Sequence, residues 1–102
     1  MKTTHTTLLL FAALASSHVA WAGDQADLER YVRYADACEH VAGEWDSGLS
    51  GQERKRIQRA VIKYCGGAQH QSRALKERYK NNPEMLQVIA SHENDAVTSF
   101  VR

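Results

Sequence analysis

The sequence predicts an all-α protein, a small helical bundle of three to four helices stapled by one disulfide. Three observations predict it. Apolar residues recur in steps of three and four along most of the chain, which is the spacing of a helix face. No stretch sustains apolar–polar alternation, and no two-residue hairpin turn joins two such stretches. The chain holds two cysteines, Cys38 and Cys65, behind an N-terminus that reads as an export signal, so they meet an oxidising compartment in which to pair.

That N-terminus has a short basic start at Lys2, an uncharged run from Leu8 to Ala15, and a small-x-small site at Ala20-Trp21-Ala22. This is the pattern of a secretory signal peptide over residues 1–22, cleaved between Ala22 and Gly23. The apolar run would span roughly 12 Å as a helix, well short of the ~30 Å hydrocarbon core, so a cleaved leader is expected and not a retained anchor. No cysteine follows the cleavage site, which leaves no lipoprotein route. The short n-region with one lysine predicts bacterial export to the periplasm, with secretion beyond it as the further option. Residues 23–102 then form a single helical domain. A domain near that size is marginal on burial alone and commonly needs a staple, a metal or a partner. Joining Cys38 to Cys65 supplies the staple, and in the chain-entropy model stabilises by roughly 3–4 kcal/mol. A redox role would call for a CxxC motif, which is absent.

The first helix is expected from Asp24 to about Trp45, with Leu28, Tyr31, Val32, Ala35, Cys38, Val41, Ala42 and Trp45 on one face and Asp24 as its cap. Asp46-Ser47-Gly48-Leu49 reads as a turn, and Ser50-Gly51-Gln52-Glu53 as a capping box that opens a second helix. That helix buries Ile57, Ala60, Val61, Tyr64 and Cys65, with Ile62 at the margin. Gly66-Gly67 should end or kink it, before a third helix carrying Ala68, Ser72, Leu75 and Tyr79; the alternative is one kinked rod. Asn82-Pro83 opens a last helix, expected to continue to about Val101.

Charge is segregated although the whole chain carries only +1. Residues 24–53 are acidic, residues 54–80 carry nine bases against one acid, and residues 81–102 are mildly acidic again. Arg56, Arg59 and Lys63 fall within about 60° of one another at 100° per residue, opposite Ile57 and Val61. Arg73, Lys76 and Lys80 cluster similarly on the next turns. These six residues are the candidate basic contact surface, facing a partner protein or an anionic envelope surface such as lipid, lipopolysaccharide or peptidoglycan. The bland alternative has the basic turns packed beside the acidic first helix, the charges satisfying one another. Nucleic acid is not an expected partner of an exported protein.

Glu93 is the residue out of place. On a continuous last helix it sits at the centre of the apolar arc, among Leu86, Ile89, Val97 and Phe100. A buried carboxylate must be paired, protonated or exposed at an interface. Two expectations follow: pairing with an arginine of the basic segment, or a burial-raised pKa that makes Glu93 a pH-sensing carboxylate.

No catalytic constellation is legible. GxSxG, SxxK, HExxH and glycine-rich phosphate loops are missing, and Glu39, Glu44 and Asp46 have no spacing that marks a glycosidase pair. His40 with Glu44, and His92 with Asp95, share a helical face but offer two ligands apiece, so no metal and no cofactor is expected. Trp45 and Phe100 are either core residues or anchors of a contact. The chain is expected to be a small exported, non-enzymatic interaction protein: an inhibitor, an immunity or exclusion factor, or a stress chaperone. In layout (leader, helices, one disulfide) it resembles the small acid-stress chaperones of the bacterial periplasm, though its cysteines lie closer together. The partner would be another exported or envelope protein, or a second copy in a homodimer. The alternative is an envelope- or membrane-active toxin, of the kind encoded with conjugation systems, that uses the basic amphipathic segment 53–80.

Overall fold

The computed structural model describes the backbone of residues 2–101 and the side chains of residues 23–101. The expected signal segment 1–22 and its cleavage site lie outside the fully described residues.

Four helices follow one another: α1 (Lys2–Gly43), α2 (Gly51–Arg78), α3 (Pro83–Ser91) and α4 (Asp95–Ser99). No strand occurs among the described residues. Helix α1 continues through Asp24, so Asp24 is not its cap; its carboxylate instead lies 3.8 Å from Arg78. The helix also stops two residues short of Trp45, which lies in the turn with 53% of its surface exposed and takes no part in the core. Asp46 shapes that turn, its Oδ1 accepting the Gly48 N–H at 3.1 Å.

Ser50 caps α2 as the sequence suggests, its hydroxyl accepting the Glu53 N–H at 3.2 Å. Of the two readings at Gly66-Gly67, the structure follows the single rod: α2 runs unbroken to Arg78. Gly67 is there for close approach, whereas a side chain at Gly66 would make ordinary contact. A Cβ at Gly67 would come within 2.7 Å of Tyr34 Cδ2, and one at Gly66 within 3.4 Å of Phe100 Cε1. The Tyr34 ring thus lies directly on bare helix backbone.

Helices α1 and α2 form an antiparallel hairpin. Cys38 is bonded to Cys65, Tyr34 lies on Gly67, and Asp27 meets Arg78, so partners on α2 rise as those on α1 fall. The disulfide is buried between Ala35 and Ala68, within a core completed by Tyr31, Leu75, Ile89 and Val97. The Tyr34 and Tyr64 rings pack edge to face at 5.4 Å.

The expected last helix is two. It breaks after Ser91, and Asn94 caps α4 by accepting the Val97 N–H at 3.0 Å while donating to the Ala35 carbonyl at 2.9 Å. Tyr31 ties α3 to α1 by donating to the Ile89 carbonyl at 3.2 Å. These two bonds fasten the short C-terminal helices across the hairpin. Among the described residues, no helix is long and apolar enough to cross a membrane.

Candidate functional site

Helix α2 sets the site. Its buried face is Ile57, Cys65, Ala68, Ser72 and Leu75, and the opposite side carries Lys55, Arg56, Arg59 and Lys63, all exposed. The register follows from 3.6 residues per turn: Lys55, Arg59 and Lys63 stand one turn apart on a single stripe, with Arg56 beside it.

Ion pairing divides the six predicted bases. Lys76 pairs with Glu93, and Lys80 with Glu77 at 3.2 Å. Arg78, outside those six, reaches back to Asp27 at 2.9 Å. Among the described residues, Arg56, Arg59, Lys63 and Arg73 have no ion-pair partner, and neither do Arg54 and Lys55. Mutual neutralisation by α1 therefore operates at the Arg78 end of the hairpin only. At the other end the bases face solvent. Lys63 has only the face of its neighbour Tyr64, 5.0 Å from the ring centroid. Charges left unpaired on the outer side of a rigid helix are available to an anionic partner without breaking any internal contact.

Glu93 sits in the break between α3 and α4, not on a helix, and its side chain is 18% exposed. It lines a polar cleft of about 190 Å³ together with Gln69, Ser72, Arg73 and Lys76. Its Oε1 accepts from the buried Ser72 hydroxyl at 2.6 Å and pairs with the Lys76 ammonium. The expected partner type is corrected from arginine to lysine, and the sign of the titration is corrected too. Burial pushes the carboxyl up, but the hydrogen bonds from Lys76 and Ser72, with the Lys76 charge, outweigh it and hold Glu93 below its ordinary value. Glu93 is therefore a carboxylate that stays ionised, not one poised to take up a proton. The neighbouring Tyr31 hydroxyl is pushed up to about 12, by burial first and then by the Glu93 charge, against a lowering contribution from Ser72.

Of the two aromatic candidates, Phe100 packs against the core and Trp45 does not. Trp45 lies in the connection that leads into α2, at the same end of the hairpin as Arg54, Lys55, Arg56 and Arg59. An open cleft of about 310 Å³ lies there as well, lined by Ser50, Gln52, Glu53, Arg56 and Arg59. His40 is 3.0 Å from Glu44, and no group of three metal-ligating side chains gathers among the described residues. Arg54 and Lys55 lie outside the six bases expected from the sequence. Their signal was present, since Lys55 precedes Arg59 by one turn. Compared with protein families, with characterised proteins and with solved structures, the chain matches none.

Proposed function

We propose that this is an exported periplasmic protein that acts without catalysis, by docking the outer face of α2 onto an acidic surface of an envelope or exported partner protein. Inhibition, immunity or exclusion, and chaperoning all work through such a contact, and the same surface would serve each.

The observation that carries the reading is the unpaired stripe of Lys55, Arg56, Arg59 and Lys63 on a helix whose other face is fastened by the Cys38–Cys65 bond. Exposed Trp45 at the same end adds an aromatic anchor of the kind that dominates contact energies. The burial of Ile57, Cys65, Ala68 and Leu75 supports a contact over membrane insertion, which would have to uncover that apolar face.

The test is isolation of the oxidised protein, as its cell matures it, with whatever it holds. One stoichiometric protein that dissociates at raised salt supports the reading. Leakage of anionic vesicles by the oxidised protein, with no protein partner, would replace it with the toxin.

A further inference from the structure

The outer stripe of α2 has an apolar neighbour. A groove of about 350 Å³ runs beside it, lined by Gln58, Val61, Ile62, Phe100 and Val101. Ile62 and Val101 are large apolar side chains left 39% and 87% exposed. One wall is pinned: Gln69 Nε2 donates to the Val97 and Phe100 carbonyls, both at 2.7 Å, and the Phe100 ring rests on Gly66. The C-terminal segment is thus held against α2 at residues 66–69. The groove opens N-terminal of that clamp.

Its margins are cationic. Lys55, Arg59, Ile62 and Gly66 follow one another at four, three and four residues, so two bases stand in line with the groove's exposed isoleucine. Arg54 precedes Gln58 by one turn and stands near the other margin. Among the described residues, none of these three bases has an ion-pair partner and no acidic side chain lines the groove.

We propose that this groove receives an acidic segment of the partner protein that carries large apolar side chains, the apolar groups entering between Ile62 and Val101 and the carboxylates meeting Arg54, Lys55 and Arg59. The inference rests on the contact reading above and adds the chemistry of the partner. A recess bounded by a pinned wall takes inserted side chains, whereas a bilayer surface is met by protruding ones. Apolar insertion gives the complex its lifetime, and the cations give it speed and selection against basic segments.

The test uses the oxidised protein and three labelled peptides read by fluorescence anisotropy: an acidic helix with two leucines one turn apart, the same helix with serines for leucines, and the same helix with glutamines for its acids. The first binds, and each control binds at least about tenfold more weakly, the loss that one good contact represents. Ile62→Ser and the pair Lys55→Gln/Arg59→Gln each weaken the first peptide by a similar factor, and Val101→Ser checks the other wall. All these positions are exposed, so thermal melting stays unchanged. Equal binding of the leucine-free peptide, or of the variants, would overturn the proposal. So would Ile62-dependent binding to anionic phospholipid vesicles, which would make the groove a lipid site, or Ile62-dependent self-association, which would make its occupant a second copy. Should the groove fail alone, a protein partner still crosslinks to Arg56 and Lys63; should the contact reading fail, none crosslinks at either place.

Discussion

Gly66 and Gly67 are adjacent, identical and helical, yet the structure predicts opposite responses to alanine. In a helix interior the replacement of glycine by alanine contributes roughly 1 kcal/mol, because the backbone loses less freedom on folding. At Gly66 the new methyl would meet Phe100 Cε1 at 3.4 Å and Cζ at 3.9 Å, a contact that a ring in the C-terminal segment relieves by shifting a few tenths of an ångström. Gly66→Ala should therefore stabilise by roughly 0.5–1 kcal/mol. At Gly67 the methyl would lie 2.7 Å and 2.8 Å from Tyr34 Cδ2 and Cε2. Carbon atoms pack at about 3.5–4.0 Å, so the Tyr34 ring must swing away. That overpacking costs about 1–3 kcal/mol and gives up the Tyr34–Tyr64 edge contact, worth about 0.5–1.5 kcal/mol. Against the helix gain, Gly67→Ala should destabilise by about 2 kcal/mol. In a domain of this size that separates the two melting temperatures by about 10 °C or more. Thermal and urea unfolding followed by circular dichroism, with the disulfide intact, reads both. In a Tyr34→Ala background the clash is gone, and Gly67→Ala should turn stabilising. Equal stabilisation by both alanines, or no reversal without the Tyr34 ring, would refute the claim that Gly67 seats the Tyr34 ring.

Three further outcomes follow from the same contacts. Replacing both Cys38 and Cys65 by alanine should lower stability by roughly 3–4 kcal/mol, checked by urea midpoints; a loss under about 1 kcal/mol would mean the hairpin holds without its staple. Glu93 is held below its ordinary pKa, so its stabilising contribution is present above the unfolded glutamate value and is lost as pH falls through the folded one. Urea midpoints at pH 7 and pH 3 should fall further for the wild type than for Glu93→Gln, whereas a wild type that gains on acidification relative to this variant would contradict the Lys76–Glu93–Ser72 arrangement. Tyr31 is shifted the other way, from 10.0 to about 12, so its contribution is complete below pH 10 and is lost as pH rises through about 12. Tyr31→Phe should be less stable at pH 7, where the bond to the Ile89 carbonyl contributes about 1 kcal/mol, and less sensitive to alkali, read by circular dichroism between pH 9 and pH 12.

The helical class, the staple and two helix starts were legible because each rests on local chemistry. Ser50 and Asn82 cap the helices they precede, and their side chains accept from Glu53 and Met85 as short-range geometry requires. Gly66-Gly67 was misleading for the opposite reason. Glycine in a helix is locally unfavourable, and the ring that justifies it, Tyr34, stands on the other helix of the hairpin. The break before α4 did leave a trace, since the apolar steps skip from Ala90 to Ala96, with Asn94 in the gap. Reading one helix across that gap placed Glu93 in a core it does not enter. Its partners Ser72 and Lys76 lie on α2, so neither its pairing nor the sign of its shift could be read from its own segment. Trp45 continued the apolar rhythm of α1 but falls beyond its last turn. The basic stripe was legible from spacing alone. Beyond Lys80, whose partner Glu77 lies three residues earlier, which of its members are free was not, because that depends on where α1 and the C-terminal segment place their acids.

We have proposed that the free cations of α2 hold a protein partner. This is tested most directly by crosslinking from position 63 in the producing cell, with and without Arg56→Gln/Arg59→Gln. The expected result is one crosslinked protein, with an acidic surface, that disappears when the two arginines are neutralised while the melting temperature is unchanged. The same protein captured undiminished by the neutralised variant would contradict it.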